Sequence, residues 1–420
     1  MFKKKKIIYI SLALIPFLGI ILYFNLKLYS APDFNHQGEV TNDVVKQLNF
    51  LENELKNENL GIRMQQIYPE GFVFIHALYG LTWTEVAMSA NPGSPLYDHS
   101  LSEAIYAYNE INSEYGRSVF EKGLNPEYGM YYRGWENFLL SQILKVQPDR
   151  DSNLTISYKQ NCLEISNAIQ ACRSPYPESY PNAAWPADAF VAVASLKQYD
   201  ELFGANYETI IHIWVDRVKK KLDAGNPMIP HSVDAITGDQ REIARGSSSS
   251  LILIFLADID PVFASNQFKL FSSSFQLTRF GLPAIMEYPN GHSGKGDIDS
   301  GPVIMDIGLA ATIVSVGTFK KFGEKRAAEK LSASVESFGF PICCKNSKRY
   351  LFGSLPIADA FIAWTRMQEV NKKVVIDKGT YCLNSGSFFW FHFYCTITII
   401  LILVLFLRRE IVEKFKYLTK

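Results

Sequence analysis

Apolar and amphipathic helical segments alternate along most of the chain. Six segments are apolar on nearly all sides, and each follows a more polar segment whose apolar residues recur at helical spacing. The six apolar segments start near Pro69, Met130, Ala183, Ser247, Gly301 and Leu355, roughly 50–65 residues apart. Alternating β-branched runs are few, so a sheet is hard to place. The pattern predicts an all-α repeat of buried and half-buried helices.

Such an alternation predicts a closed double ring of about twelve helices. The loops before the inner helices would then gather at one mouth. The layout resembles the (α/α)6 toroid, the six-hairpin fold shared by many glycoside hydrolases, some polysaccharide lyases and epimerases, and the linalool dehydratase-isomerase family. The resemblance is architectural and covers a core of about residues 40–370, and fold alone does not assign function.

Both ends of the chain carry an uncharged apolar run of nearly spanning length. A bilayer core needs roughly 20 apolar residues, and Lys and Arg mark the cytoplasmic side of a span. The first run follows four lysines, and the second precedes Arg408 and Arg409. We therefore expect transmembrane helices at 7–24 and 388–407, cytoplasmic tails at 1–6 and 408–420, and an extracytoplasmic domain at 25–387. The expected location is the plasma (inner) membrane, with the lipid bilayer as a partner.

Each predicted span has a competing interpretation. The first run also resembles a cleaved signal peptide, but the junction Tyr29-Ser30-Ala31-Pro32 lacks the small-x-small cleavage pattern. The second run is also compatible with a buried C-terminal helix, although it contains no charge.

Composition and motifs exclude several classes of function. The formal net charge is zero, and no basic patch with interleaved aromatics occurs outside the tails, so we expect no nucleic-acid partner. No Walker loop, GxSxG or HExxH motif occurs, and the six cysteines show no zinc spacing. We expect no cofactor and no metal. Cys162 and Cys172 could pair in an oxidising compartment, which the sequence leaves open.

The loop before the fifth apolar helix concentrates acids and glycines. It contains Asp297-Ile298-Asp299-Ser300-Gly301-Pro302, and proline is favoured in the first turn of a helix. We expect Asp299 to cap the helix and Asp297 to face a cavity as a catalytic or ligand-binding acid. The alternative is that both aspartates only cap the helix and brace the loop.

Further candidates lie in the other loops at the predicted mouth. Glu136 and Asp188 stand one turn into their helices and are candidate partner acids, or else members of buried ion pairs with Arg133 or Arg245. His231 could act as a general base with Asp234, or be an ordinary hydrogen-bonded loop histidine. The predicted substrate-binding residues are Tyr132, Arg133, Trp135, Trp185, His231, Arg245, Tyr288 and His292.

Aromatic rings combined with carboxylates in a cleft suit a carbohydrate. Glycosidic cleavage uses two carboxyl groups, one protonated and one ionised. We therefore expect a glycoside hydrolase or lyase that acts on a cell-envelope glycan. The resemblance also implies an alternative, a lyase or isomerase acting on a small apolar alcohol, for which tyrosines, histidines and Cys162 with Cys172 would matter. A third hypothesis is a non-catalytic binding or scaffold protein.

Overall fold

The computed structural model describes residues 2–30, 41–147, 149–376 and 388–418, and it is almost entirely helical. The helices in chain order are α1 (Phe2–Leu28), α2 (Asn42–Asn57), α3 (Leu60–Ile67), α4 (Gly71–Ser89), α5 (Pro95–Ile111), α6 (Glu114–Arg117), α7 (Gly129–Val146), α8 (Ser152–Ala171), α9 (Pro186–Phe203), α10 (Glu208–Lys219), α11 (Gly246–Ile259), α12 (Pro261–Phe275), α13 (Leu309–Lys321), α14 (Lys325–Phe338), α15 (Pro356–Met367) and α16 (Phe389–Leu418).

Short antiparallel hairpins decorate the loops. The strands are β1 (Ser232–Val233) with β2 (Gln240–Glu242), β3 (Gln276–Arg279) with β4 (Leu282–Ile285), β5 (Val303–Ile304) with β6 (Ile307–Gly308), and β7 (Ile342–Cys343) with β8 (Lys348–Arg349).

Six helices form an inner ring in the described part of the chain. Helix α4 packs against α7, followed in order by α9, α11, α13 and α15, and α15 packs back against α4. The outer helices α5, α8, α10, α12 and α14 each pack against the inner helix that precedes them, and α2 packs against α15 and α4. The predicted all-α closed double ring of twelve helices, an (α/α)6 toroid, is therefore confirmed.

Burial explains why the two sets of helices differ in sequence. Inner helices such as α4 are buried on nearly every side, whereas outer α14 buries a stripe with Ala327, Ala328 and Leu331. Aromatic rings fill the middle of the inner ring. Phe74 lies 5.0 Å from Trp135, and Phe255 lies 6.0 Å from Trp364, between ring centroids. We call Phe74, Trp135, Phe255 and Trp364 the aromatic plug. It separates the two ends of the toroid.

A buried ionic cluster closes the ring between its first and last hairpins. Lys348 Nζ lies 2.9 Å from Asp43 on α2 and 2.8 Å from Glu336 on α14, and Arg366 on α15 donates to Glu336 at 2.6 Å. Burial alone would raise the pKa of Glu336, but Arg366 and Lys348 outweigh it and lower that pKa to about 2. We call Asp43, Glu336, Lys348 and Arg366 the closure cluster.

The fifth inner helix begins later than predicted. It starts at Leu309 rather than near Gly301, so Pro302 does not stand in its first turn. Gly301 has a φ of 69°, and β5 and β6 form a hairpin across Met305 and Asp306, whose φ values are 54° and 69°. Two consecutive residues of positive φ are typical of a tight hairpin turn. The helix therefore cannot begin until the hairpin is complete.

The chain ends form helices that pack beside each other. Helix α1 contacts α14 and α16, and Leu28, Leu282 and Phe391 form a small buried cluster there. Across the residues whose side chains are described, which leave out 1–14 and 405–407 among others, no helix is long and apolar enough to cross a bilayer. The spans predicted at 7–24 and 388–407 gain no support from this finding.

Candidate functional site

Three carboxylates from different loops converge at the end of the toroid where the inner helices begin. Glu70 directly precedes α4, Asp188 lies in the first turn of α9, and Asp299 lies in the loop before β5. Burial raises the pKa of Glu70 to about 7, and the charge of Asp299 adds to the shift. Burial also raises the pKa of Asp188 to about 7, with Glu70 and Asp299 adding and a Ser179 hydrogen bond opposing. The three groups are therefore near enough to repel one another.

Aromatic rings surround these acids. Tyr131 stacks on Tyr180 at 5.9 Å, and Trp185 meets Tyr180 edge-on at 5.5 Å, between centroids. The hydroxyls of Tyr131 and Tyr180 are buried and have no hydrogen-bond partner among the described residues. Burial and the neighbouring acids raise the pKa of Tyr68, so its hydroxyl stays protonated. We call Glu70, Asp188, Asp299 and these four aromatic residues the acid mouth.

Two glycines, Gly71 and Gly129, allow the close backbone contacts that position the acid mouth. A Cβ on Gly71 would lie 2.4 Å from the carbonyl oxygen of Met64, so only glycine permits the close turn that carries Glu70 into α4. Gly129 has a φ of 87°, and a Cβ there would lie 2.2 Å from the carbonyl oxygen of Ser179. The Met130 N–H donates to the Glu178 carbonyl at 2.8 Å. These close approaches bring the loop before α7 against the loop before α9, and with them Tyr131 against Tyr180.

A second group of charges lies beside the acid mouth. Arg245, the residue before α11, forms a short ion pair with Asp297 and donates to Glu242 at 2.7 Å. Its guanidinium lies 5.5 Å from the centroid of the Tyr288 ring. Burial and the charge of Arg245 lower the pKa of His231 to about 4, against the opposing charge of Asp297. His231 is therefore neutral near pH 7, and its Nδ1 is buried without a hydrogen-bond partner in the described structure.

The contacts of the two aspartates of the fifth loop differ from the expectation that Asp299 caps the helix and Asp297 faces a cavity. Asp297 Oδ1 accepts the Ser300 N–H at 2.9 Å, and the Ser300 hydroxyl accepts the Asp297 N–H at 3.0 Å, so Asp297 braces the turn. Burial alone would raise the pKa of Asp297, but the Ser300 N–H and Arg245 outweigh it and lower that pKa. Asp299 caps no helix. Partial desolvation by the surrounding loops and the charge of Asp297 raise its pKa although its side chain is exposed, and its own charge acts on Glu70 and Asp188.

The expectation that Glu136 faces the cavity is wrong. Its carboxylate accepts from Arg133 at 2.9 Å and from the Asn161 amide of α8 at 3.0 and 2.9 Å, on the outer side of α7. Successive helical residues are turned by about 100°. Tyr131 and Trp135 therefore point inward together, whereas Tyr132 and Glu136 point outward together. The buried ion pair with Arg133, the alternative interpretation, is what the structure contains.

Other predicted binding residues are distributed between the mouth and the core. Tyr132 accepts a hydrogen bond from Arg117 at 3.1 Å and donates to the Ile111 carbonyl, so it packs toward α5 and α6. Trp135 is 1% exposed and belongs to the aromatic plug. Trp185 is half-buried at the acid mouth, and His292 is exposed on the fifth loop. Only Trp185, Asp188 and Asp299 of the predicted set lie in the acid mouth, with Arg245, Asp297, His231 and Tyr288 beside it.

Glu70, Tyr68, Tyr131 and Tyr180 lie in the loops at the predicted mouth, but the prediction did not select them as site residues. Their signal was positional, because Tyr68-Pro69-Glu70-Gly71 directly precedes the first apolar helix as the other loops precede theirs. Tyr131 was available as the neighbour of Tyr132, and only the helical register separates the two.

The described residues contain one group placed closely enough to hold a metal ion, and it lies outside the mouth. It comprises Glu52, His99 and Glu103, where Lys56 Nζ already pairs with Glu103 at 2.6 Å and with Glu52 at 3.1 Å. Cys162 and Cys172 are both free thiols. Cys162 is buried beside Asn137 Nδ2 at 3.3 Å, between α7 and α8.

Comparison with known proteins gives a structural likeness and no sequence relative. No protein-family model matches the chain, and no curated protein matches it. Among solved structures, the chain is similar to an inactive variant of the α-1,6-mannanase GH76A of Salegentibacter sp. HEL1_6, in complex with α-1,6-mannotriose. The identity is 10%, the TM-score is 0.46, and the match covers 77% of this chain and 100% of that one.

Proposed function

We propose that this protein is a carbohydrate-active enzyme that cleaves a glycosidic bond at the acid mouth. The observation that carries the proposal is the convergence of Glu70, Asp188 and Asp299 among four aromatic side chains. Aromatic faces stack on the C–H faces of sugar rings. Carboxyl groups in two protonation states supply the acid and the base, or nucleophile, that glycosidic cleavage requires.

The electrostatics divide the roles among the three acids. Because like charges in one site do not all ionise together, at least one carboxyl retains its proton near pH 7. Asp188 is 8% exposed and has a pKa raised to about 7, so we assign it as the general acid. Asp299 is the exposed member, within reach of water, and we assign it as the base or nucleophile. The ionised form of Glu70 raises the pKa of Asp188 further and so favours its protonated form.

Hydrolysis suits this mouth better than elimination. A lyase acting on a uronate must neutralise the substrate carboxylate with a cation. Arg245 is the cation beside the mouth, and Asp297 and Glu242 already neutralise it. An isomerase of small apolar alcohols is disfavoured as well, because Cys162 lies behind α7 and not at the mouth.

We extend the proposal to a membrane-anchored enzyme of the cell envelope, with its toroid outside the plasma membrane. This part rests on the uncharged runs at 7–24 and 388–407 and on the lysines and arginines that flank them. The contact between α1 and α16 is compatible with two anchors that leave the toroid at neighbouring points. The substrate would then be an envelope glycan.

The test is cleavage of a panel of α- and β-linked oligosaccharides by the full chain, with products separated by chromatography. We expect Asp188→Asn and Asp299→Asn each to lower the rate by at least about 100-fold, the scale of a lost acid or base. Asp306→Asn, an exposed change in the adjacent hairpin, is the matched control. Full activity in both site variants would overturn the proposal. Glycan binding without cleavage would instead identify a binding protein.

A further inference from the structure

The opposite end of the toroid contains a cavity of about 90 Å³ that is independent of the acid mouth. The aromatic plug separates the two, since Phe138, Phe255 and Trp364 form the floor of this cavity. Every inner helix contributes to its wall at or near its C-terminal end. The charged or polar wall residues, in ring order, are Glu85, Gln142, Lys145, Gln198, Asp258, Lys321, Gln368 and Glu369. We call this cavity the basin.

Two acceptors in the basin have no partner among the described residues. The Glu85 carboxylate forms neither a hydrogen bond nor an ion pair there, and burial raises its pKa to about 7, against the opposing charges of Lys321 and Lys145. Gln198 is 6% exposed, and its Oε1 is buried and unbonded, whereas its Nε2 donates to Glu201 at 3.1 Å. A buried acceptor left unpaired is costly, so a donor from a ligand would stabilise this wall.

The ends of the inner helices make the basin attractive to a cation. Asp258 is already satisfied, because Lys321 Nζ lies 2.8 Å away and the Asn371 amide donates to it at 2.8 Å. That leaves the carboxylates of Glu85 and Glu369 against the exposed amine of Lys145 and the half-buried amine of Lys320, which interacts with both acids. These side-chain charges nearly cancel. The six inner helices direct their C-terminal, negative dipole ends here, and the field of the helix ends therefore favours positive charge.

The floor indicates what kind of cation fits. Phe138 meets Phe255 edge-on at 5.0 Å, and Phe255 stacks on Trp364 at 6.0 Å, between centroids. Aromatic faces attract organic cations and also bury an alkyl group. No three carboxylate or histidine ligand atoms of the basin, among the described residues, lie together closely enough for a metal ion. An organic ammonium ion uses both the floor and the wall, whereas a bare divalent ion would use neither fully.

We infer that the basin binds a small primary ammonium ion, or the ammonium end of a longer amine. Its N–H groups donate to the Glu85 carboxylate and to Gln198 Oε1, and its carbon chain lies on Phe255 and Trp364. The volume matches a ligand of a few heavy atoms, because one water occupies about 30 Å³ of liquid. The inference does not depend on glycosidic cleavage at the other end.

The test uses ethylammonium as the probe with the purified full chain, in ligand-observed saturation-transfer NMR and titration calorimetry. Ethanol and acetate serve as the uncharged and oppositely charged probes. We expect saturable binding of ethylammonium alone. Glu85→Gln removes the charge at nearly constant shape and should weaken binding by at least about tenfold. Lys145→Met removes an exposed repulsive charge and should strengthen binding about two- to fivefold.

Several outcomes would overturn the inference. These are no saturable binding of ethylammonium, equal binding of ethanol, binding of Ca²⁺ in place of ethylammonium, or unchanged affinity in Glu85→Gln. Asp299→Asn, at the acid mouth, should leave ethylammonium affinity unchanged, so this experiment and the glycan assay fail separately. If Glu85→Gln does not fold by circular dichroism, Lys145→Met decides alone, because Lys145 is exposed; an unchanged or weakened affinity there contradicts the inference.

Discussion

The acid mouth and the closure cluster both bury carboxylates, but they shift the pKa of those carboxylates in opposite directions. Glu336 is surrounded by Lys348 and Arg366, and its pKa is lowered to about 2. Asp188 lies near Glu70, Asp299 and tyrosines, and burial, with a smaller contribution from the two acids, raises its pKa to about 7. The first arrangement stabilises the fold. The second costs stability, and a protein retains such a cost mainly where the group has a function.

The largest expected effect is in the closure cluster. Glu336→Gln leaves Arg366 without its carboxylate and Lys348 with Asp43 alone, so we expect a loss of about 3 kcal/mol in the free energy of unfolding. Urea unfolding of the full chain, followed by tryptophan fluorescence near pH 7, measures it. Glu329→Gln, an exposed change on the same helix, is the control. A loss below about 0.5 kcal/mol would show that the cluster does not hold the ring closed.

The same kind of substitution in the acid mouth should raise the free energy of unfolding instead of lowering it. Asp188→Asn removes a buried charge that Glu70 and Asp299 repel, so we expect a gain on the order of 1–2 kcal/mol at about pH 8. The same unfolding experiment at about pH 3 should give almost no gain, because Asp188 is then protonated in the folded and the unfolded chain alike. A loss at pH 8 comparable to that of Glu336→Gln would erase the contrast between the two regions.

The two regions should also give opposite pH dependences. Raised pKa values mean that folded Glu70 and Asp188 bind protons that the unfolded chain has released, so their contribution to stability is lost as pH rises from about 4 to 7. The lowered pKa of Glu336 means that its contribution is present above about pH 4.5 and is lost as pH falls toward 2. We expect the double variant Glu70→Gln with Asp188→Asn to reduce the fall in the free energy of unfolding between about pH 4 and 7. The fall below about pH 4.5 should remain. Unfolding curves recorded at a series of pH values measure both. An equal reduction of both falls would contradict the assignment.

The smallest effect on stability is expected for Asp299→Asn. The residue is exposed, so the free energy of unfolding should change by less than about 0.5 kcal/mol. The loss of its charge should nevertheless lower the pKa of both Glu70 and Asp188, which NMR titration of the carboxyl groups can measure. Asp306→Asn should leave both values unchanged. If Asp299→Asn also leaves them unchanged, Asp299 does not belong to the acid mouth.

The sequence pattern predicted the ring because the extent to which each helix is buried determines how many of its residues are apolar. Helices α4 and α14 are distinguishable by eye, one apolar throughout and the other striped. The start of α13 was misplaced because Pro302 suits a helix start and a hairpin equally well. The positive φ values at Met305 and Asp306 that decide between them leave no strong signal in those residue types.

The site was harder to predict than the fold, since it depends on the direction in which individual side chains point. Tyr131 and Tyr132 are adjacent and chemically alike, and one residue of helical register sends one to the mouth and the other to the outer layer. The expectation that Asp299 caps a helix failed for a similar reason, because the turn that Ser300 forms with Asp297 is set by backbone geometry. Proximity between Glu70 and Asp188 is set by ring closure, which no local pattern contains.

The most direct test of the acid mouth is the pKa of Asp188 and Glu70 in the folded full chain. Carboxyl ¹³C NMR titration, with resonances assigned from Asp188→Asn and Glu70→Gln, measures both. Burial, with the charges of the neighbouring acids adding to it, predicts that both groups titrate near pH 7. Titration of both near pH 4, the ordinary range for these side chains, would show that the acids are neither buried nor close together and would contradict the proposed site.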